Sequence, residues 1–254
     1  MIELQRVTKY FGRTCAVREV SLSVAAGELL VLVGGSGSGK TTTLKMINRL
    51  IEPTSGTVLI AGDDVAQLDP HNLRRQIGYV FQKVGLFPHL TVEENIGIAL
   101  QLQGWEAARR RQRVADVIEL VELDSALLRR RPAELSGGQE QRVGVARALA
   151  AEPRLILLDE PFGALDPLTR DRLQQSFLGL RRKVGLTAIL VTHDMGEALL
   201  LADRIGVMHA GQLVQIGSAA ELLAAPADAY VERLLETPRR QAAAIQRHLA
   251  GAAG

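Results

Sequence analysis

The segment Gly34-Gly35-Ser36-Gly37-Ser38-Gly39-Lys40-Thr41 constrains this chain more than any other. The apolar run Leu29-Leu30-Val31-Leu32-Val33 precedes it and reads as a buried strand. Thr42-Thr43-Leu44-Lys45-Met46-Ile47 follows and can start a helix. A glycine loop with the spacing G-x-x-x-x-G-K-[ST] therefore lies between a strand and a helix. Glycines let backbone N–H groups turn inward around a phosphate without interference from Cβ. The helix N-terminus adds partial positive charge. Lys40 is then placed to reach the β- and γ-phosphates, and the Thr41 hydroxyl to ligate Mg²⁺. The bland alternative is a glycine-rich turn, which the flanking strand and helix disfavour.

At 254 residues the chain suits one large domain or a domain with a subdomain, and 47% hydrophobic residues supply a core. A formal charge of +2 makes no case for nucleic acid. The basic clusters Arg109 to Arg113, Arg129 to Arg131 and Arg181 to Lys183 read as solvated helix faces. Aromatics are only 4%, and none interleave with those clusters as base stacking would require. Cys15 is the single cysteine, so no internal disulfide is possible and a reducing compartment fits. The N-terminus has no apolar signal core, and no run approaches the ~20 apolar residues that span a bilayer. These features point to a chain soluble by itself and cytosolic.

Strands are expected over Ile2 to Val7, Val17 to Val24, Glu28 to Val33, Thr57 to Ile60, Ile77 to Phe81, Leu155 to Leu158, Thr187 to Val191, Ile205 to His209 and Gln212 to Ile216. Asp69-Pro70 looks like an N-cap with proline at the first helical position. Thr91-Val92-Glu93-Glu94 and Ser218-Ala219-Ala220-Glu221 are capping boxes. Asp166-Pro167 starts a helix running to about Lys183, and Met195 to Ala202 is another. The alternation predicts an α/β core with a mostly parallel sheet. A helical block over about 88–152 interrupts it and reads as an inserted subdomain. Beyond Glu236 the Pro-, Arg- and Ala-rich tail reads as a loose helix.

Leu155-Ile156-Leu157-Leu158 ends in Asp159-Glu160. Ligands of such sheets sit beyond the carboxyl ends of the strands, so Asp159 is placed to hold Mg²⁺ directly or through water. Glu160 points elsewhere and is a candidate proton acceptor for an attacking water. Leu135-Ser136-Gly137-Gly138-Gln139 is the second decisive element. Ser136 to Gln139 fits a capping box, which explains Ser and Gln but not the glycines. Gly137 and Gly138 would bring backbone N–H groups close to an anion, and the two readings are compatible.

With these motifs in place, the chain resembles the nucleotide-binding subunit of an ATP-binding cassette (ABC) transporter over about residues 2–236. The order of motifs carries the resemblance: the glycine loop, Gln82, Leu135 to Gln139, Asp159-Glu160, Ala164-Leu165-Asp166 and His193. It implies a P-loop core over about 1–87 and 153–236, an N-terminal antiparallel β part and the helical subdomain. It implies ATP as ligand of Gly34 to Thr42 and of Ser136 to Gln139, with adenine stacked on Phe11. It also implies Mg²⁺ on Thr41, Gln82 and Asp159. Glu160, His193, Lys40 and Gln82 take catalytic roles, with His193 on the γ-phosphate, and Asp166 acts across a dimer interface. Gly35 departs from a frequent proline and is expected to loosen the loop; Thr41 replaces a commoner serine and keeps the hydroxyl.

The resemblance further implies a head-to-tail homodimer in which the loop of one subunit faces Ser136 of the other. Membrane permease subunits would dock where Leu86, Phe87 and Pro88 form an apolar lip, with the chain peripheral on the cytoplasmic side of the membrane. A periplasmic or surface solute-binding protein would be an indirect partner. Lys45 to Leu50, Val80 to His89 and Val143 to Ala150 are similar to importers of quaternary amines such as glycine betaine and choline. About eighteen residues follow Glu236, too few for the regulatory domain of the cystathionine-β-synthase type that many such subunits carry. Residues 237–254 are thus expected to be a short tail, without ionic-strength sensing. Other importers (amino acid, polyamine), an exporter, and a soluble nucleic-acid-associated ABC protein are the alternatives.

Overall fold

A computed structural model describes residues 1–252. Its elements, in chain order, are β1 (Ile2–Phe11), β2 (Thr14–Val24), β3 (Leu29–Val33), α1 (Lys40–Ile47), β4 (Ser55–Ile60), β5 (Asp63–Asp64), α2 (Pro70–Arg75), β6 (Ile77–Val80), α3 (Val92–Leu102), α4 (Ala107–Leu120), α5 (Gly137–Ala150), β7 (Leu155–Asp159), α6 (Pro167–Val184), β8 (Thr187–Thr192), α7 (Met195–Leu201), β9 (Arg204–His209), β10 (Gln212–Gly217), α8 (Ala219–Ala224) and α9 (Ala229–Ala252). Short 3₁₀ turns at Ser125–Arg129 and Pro132–Glu134 join α4 to α5.

The central sheet has the order β10-β9-β3-β8-β7-β6. All its pairs are parallel except β9 with β10. β3, β7 and β8 are buried along their whole length, because both sheet faces are covered. Alternate side chains divide between two cores. Leu29, Val31, Val33, Ile156, Leu158, Ala188 and Leu190 pack towards the helices. Leu30, Leu32, Leu155, Leu157, Ile189 and Val191 pack towards α1 and the antiparallel sheet. That second sheet has the order β2-β1-β4-β5. Val92, Ile96 and Leu100 of α3 and Val143 and Leu149 of α5 share the first core with β3, so the helical block is continuous with it.

The expected elements are present, with informative differences at their ends. β1 continues to Phe11 and β2 begins at Thr14. Their pairing is bulged between Leu4 and Tyr10, where Arg6 and Glu19 adopt positive φ. Bulges break the two-residue alternation on which strand recognition depends. The tail expected to be a loose helix is part of α9, which runs on through Pro238 although that residue cannot donate to the carbonyl four positions back. Residues 253–254 of the expected tail lie outside the described residues.

The capping residues explain why the helices begin where they do. Asp69 accepts from Asn72 N–H, and Asp166 from Thr169 N–H, each before a proline. Thr91/Glu94, Ser136/Gln139 and Ser218/Glu221 form complete capping boxes. For function the decisive fact is the parallel register of β3, β8, β7 and β6. It brings the loops after all four strands to one edge of the sheet.

Candidate functional site

The loop after β3 is fixed by backbone on two sides. A Cβ on Gly34 would collide with the carbonyl of Met208 in β9. A Cβ on Gly39 would lie 2.6 Å from the carbonyl of Ala16 in β2, and Gly39 has φ of 101°. Only glycine satisfies both the approach and the angle. Between them Gly35, Ser36 and Gly37 are exposed and Ser38 is buried. Thr41 and Thr42 lie half-buried in the first turn of α1.

Lys40 opens α1 with its ammonium folded back onto the loop. It donates to the carbonyls of Gly34 (2.7 Å) and Gly35 (2.9 Å) and to Ser38 Oγ (3.2 Å). Burial lowers its pKa, while the charges of Glu160 and Asp159 work against that shift. Thr41 Oγ1 donates to Asp159 Oδ1 across 2.9 Å, joining residues 118 positions apart. Asp159 is 2% exposed. Burial raises its pKa, and the Thr41 hydrogen bond opposes the rise.

Glu160, the next residue, has φ of 49°. That conformation costs a non-glycine residue on the order of 1 kcal/mol. The end of β8 with its following loop, and the loop after β6, hold it there. Its backbone N–H donates to Val191 O at 2.9 Å. One carboxylate oxygen lies 3.2 Å from His193 Nδ1, and the other accepts from Gln82 Nε2 at 3.1 Å. Gln82, Glu160 and His193, anticipated as separate motif residues, thus form one cluster beside the Thr41–Asp159 pair.

The remaining expected residues lie elsewhere. Ser136 caps α5, and Ser136 and Gly137 are exposed at its start. Among the described residues, no hydrogen bond joins Ser136, Gly137, Gly138 or Gln139 to the loop 34–42. Gly138 instead abuts the turn before Asp166: a Cβ there would lie 3.3 Å from Leu165 Cδ2. The Asp166 carboxylate caps α6, and the hydrogen bonds it accepts lower its pKa. Phe11, at the tip of the β1–β2 hairpin, is 50% exposed, with Lys9 Nζ 5.3 Å from its ring centroid.

Several supporting residues escaped the sequence reading. Gln141, buried on α5, donates to the Glu160 carbonyl at 3.2 Å. Gln174 of α6 donates to Glu197 of α7 at 2.8 Å, and Glu197 packs beside the Thr192–Asp194 segment that carries His193. Gln141 stands two residues after Gln139, and its place on the buried face of α5 was the available signal. Nothing in the sequence pairs Gln174 with Glu197.

The donor set can be tested for the ligands that the motifs imply. Thr41 and Asp159 offer a hydroxyl and a carboxylate oxygen side by side, and Gln82 adds an amide. These are hard oxygen donors of the kind Mg²⁺ accepts when it keeps waters and phosphate oxygens as its other ligands. Among the described residues there is no group of three or more His, Cys, Asp or Glu suited to a metal.

The sequence model of the ABC transporter family matches residues 17–163. The chain belongs to the ABC transporter family. It is 51% identical over 240 residues to the glycine betaine/carnitine/choline transport ATP-binding protein OpuCA of Bacillus subtilis, covering 94% of this chain and 63% of that protein. It is 49% identical over 233 residues to the glycine betaine uptake system ATP-binding protein YehX of Escherichia coli, covering 92% and 76%. The chain thus spans less than two thirds of the length of OpuCA. Among solved structures it is similar to the dimeric post-hydrolysis state of the ATP-binding cassette MJ0796 bound to ADP and Pi. There the TM-score is 0.81 at 35% identity, covering 86% of this chain and 99% of that one. The α/β architecture, with its parallel sheet, antiparallel β part and helical block, is that of an ABC cassette.

Proposed function

We propose that the chain is the ATP-binding and ATP-hydrolysing subunit of an ABC importer whose cargo is a quaternary-amine osmoprotectant such as glycine betaine or choline. The carrying observation is the convergence of Lys40, Thr41, Gln82, Asp159, Glu160 and His193 at one sheet edge. Residues 1–236 act as the nucleotide-binding domain. The backbone of Gly34 to Thr42 cradles the phosphates, and Lys40 exchanges the carbonyls of Gly34 and Gly35 for phosphate oxygens. Thr41, Asp159 and Gln82 hold Mg²⁺, which when bound neutralises phosphate charge. Glu160 accepts the proton of the attacking water, and His193 contacts the γ-phosphate. Phe11 stacks on adenine.

Ser136 to Gln139 serve the nucleotide of a second copy, in a head-to-tail homodimer where ATP bridges the subunits. Their separation from the loop of their own chain supports this reading, as does the dimeric state of the similar cassette. Asp166 lies at that interface. Transport requires a membrane permease, since among the described residues no helix is long and apolar enough to cross a membrane. A cavity of about 470 Å³ lined by Tyr79, Phe81, Phe87, Leu102 and Arg147 is the proposed docking groove. Phe87 is 43% exposed, while Leu86 packs against the core. Arg147 donates to the carbonyls of Val84 and Gly85, tying α5 to the segment after Gln82. The chain then works peripherally at the cytoplasmic face, with a solute-binding protein outside and no nucleic-acid partner.

The cargo reading rests on relatives, since cargo does not reach this chain. A spermidine/putrescine import protein of Roseobacter denitrificans is 43% identical, so a polyamine is the second reading. The test is uptake of labelled betaine, choline and spermidine in cells lacking this chain. Complementation with the native chain should restore betaine or choline uptake, and Glu160→Gln should not. Restoration of spermidine uptake alone would overturn the cargo assignment, and full restoration by Glu160→Gln would overturn the proton-acceptor role.

A further inference from the structure

One contact to the phosphate loop comes from the far end of the chain. Tyr230 lies in the first turn of α9, where Asp228 Oδ1 accepts from the N–H groups of Tyr230 and Val231, each at 2.9 Å. Its ring stacks on His209, with centroids 3.9 Å apart and planes 29° from parallel. His209 follows Met208, whose carbonyl presses on Gly34. With its backbone capped by Asp228 and its ring stacked on His209, Tyr230 presents its phenolic oxygen to the N–H of Gly35 at 2.8 Å, across 195 residues. The Gly35 carbonyl accepts from Lys40 on its other side. Gly35 is therefore bracketed: its donor is engaged by α9 and its acceptor by the lysine.

We infer that Tyr230 is a positioning residue for the phosphate loop, and that it makes the start of α9 part of the nucleotide site. This rests on the proposed ATP-binding role of Gly34 to Thr42. Gly35 and its neighbours Ser36 and Gly37 are exposed and lack side-chain packing, so the loop would lose conformational entropy on closing around phosphate. A hydrogen bond from Gly35 to a stacked tyrosine removes part of that cost before the ligand arrives. It also holds Gly35 in place when Lys40 releases the Gly35 carbonyl. The contact needs a residue with a backbone N–H at position 35, and proline there would abolish it. A cavity of about 370 Å³ between His193, Asp194, Arg233 and Pro238 sets the next turns of α9 beside the histidine loop as well.

The experiment compares the full-length native chain with Tyr230→Phe, Gly35→Pro and the double variant. Tyr230→Phe keeps the ring and its stacking and removes only the acceptor. Binding of N-methylanthraniloyl-ATP with Mg²⁺ is expected to weaken about 3–10-fold in Tyr230→Phe, the scale of one lost hydrogen bond. KM should rise by that factor and by more than kcat changes. In the Gly35→Pro background, Tyr230→Phe should add nothing, because the donor is already gone. Backbone hydrogen exchange, read without nucleotide, should speed up at Gly35 in Tyr230→Phe and remain native in the body of α9. Native affinity in Tyr230→Phe, an effect undiminished by Gly35→Pro, or unchanged exchange at Gly35 would each overturn the inference. Failure of the native chain to bind the nucleotide would instead overturn the ATP reading, while faster exchange at Gly35 would still establish the tether.

Discussion

Thr41 and Asp159 form a pair whose worth depends on burial. Asp159 is almost wholly removed from water, and Thr41 is the only side chain that donates to it among the described residues. Thr41→Val keeps the shape and deletes the donor, leaving a buried carboxylate without that partner. We expect about 1–3 kcal/mol loss of stability by chemical denaturation, loss of Mg²⁺-dependent nucleotide binding, and recovery of both in Thr41→Ser. Lys40, Thr41 and Asp159 were legible in the sequence because each belongs to a contiguous motif whose geometry is local. The grouping of Gln82, Glu160 and His193 was not derivable from spacing alone. It arises because Val80 pairs with Leu158 and Asp159 with Val191, so three strand ends stop level with one another. The Tyr230 contact was less visible still, since it depends on how a helix 195 residues away lands on the loop.

Among the elements, the helices begin where short-range chemistry says they should, and the caps were readable for that reason. Their carboxylates also carry a pH dependence. Hydrogen bonds from Thr91 and Ser218 lower the pKa values of Glu94 and Glu221. An acid with a depressed folded-state pKa adds stability above its ordinary value near 4.5 and loses it as pH falls through the depressed value. Melting curves from pH 6 to pH 3 should therefore show α3 and α8 loosening at the acid end, with a shallower acid loss in Glu94→Gln and Glu221→Gln. β6 offers a packing test of the joint between the sheet and α5. A Cβ on Gly78 would lie 2.6 Å from the Ala148 carbonyl and 3.0 Å from Pro153. Gly78→Ala should destabilise by about 1–3 kcal/mol, a fall in Tm of roughly 3–10 °C. The β1–β2 ribbon was misjudged in extent because its bulges break the alternation, and α9 because Pro238 reads as a helix end. Tertiary contacts, such as Val231 and Leu235 buried in the main core, fix α9 where propensity does not.

In the whole molecule, the glycine loop and the Ser136 motif of one chain are built on different parts of the fold. The loop 34–42 caps the central sheet, while Ser136 and Gly137 stand exposed at the start of α5. In the proposed head-to-tail dimer, a single subunit offers two halves of two different sites. Mixing inactive subunits tests this arrangement most directly. Let one subunit carry Lys40→Ala and the other Gly137→Asp, and verify the mixed dimer by differential tags. One interface then holds both defects, and the other joins an intact loop to an intact Ser136 segment. Each variant homodimer should hydrolyse ATP at a few per cent of the native rate or less, while the mixed dimer should recover up to about half. A verified mixed dimer as inactive as its parents would contradict this arrangement.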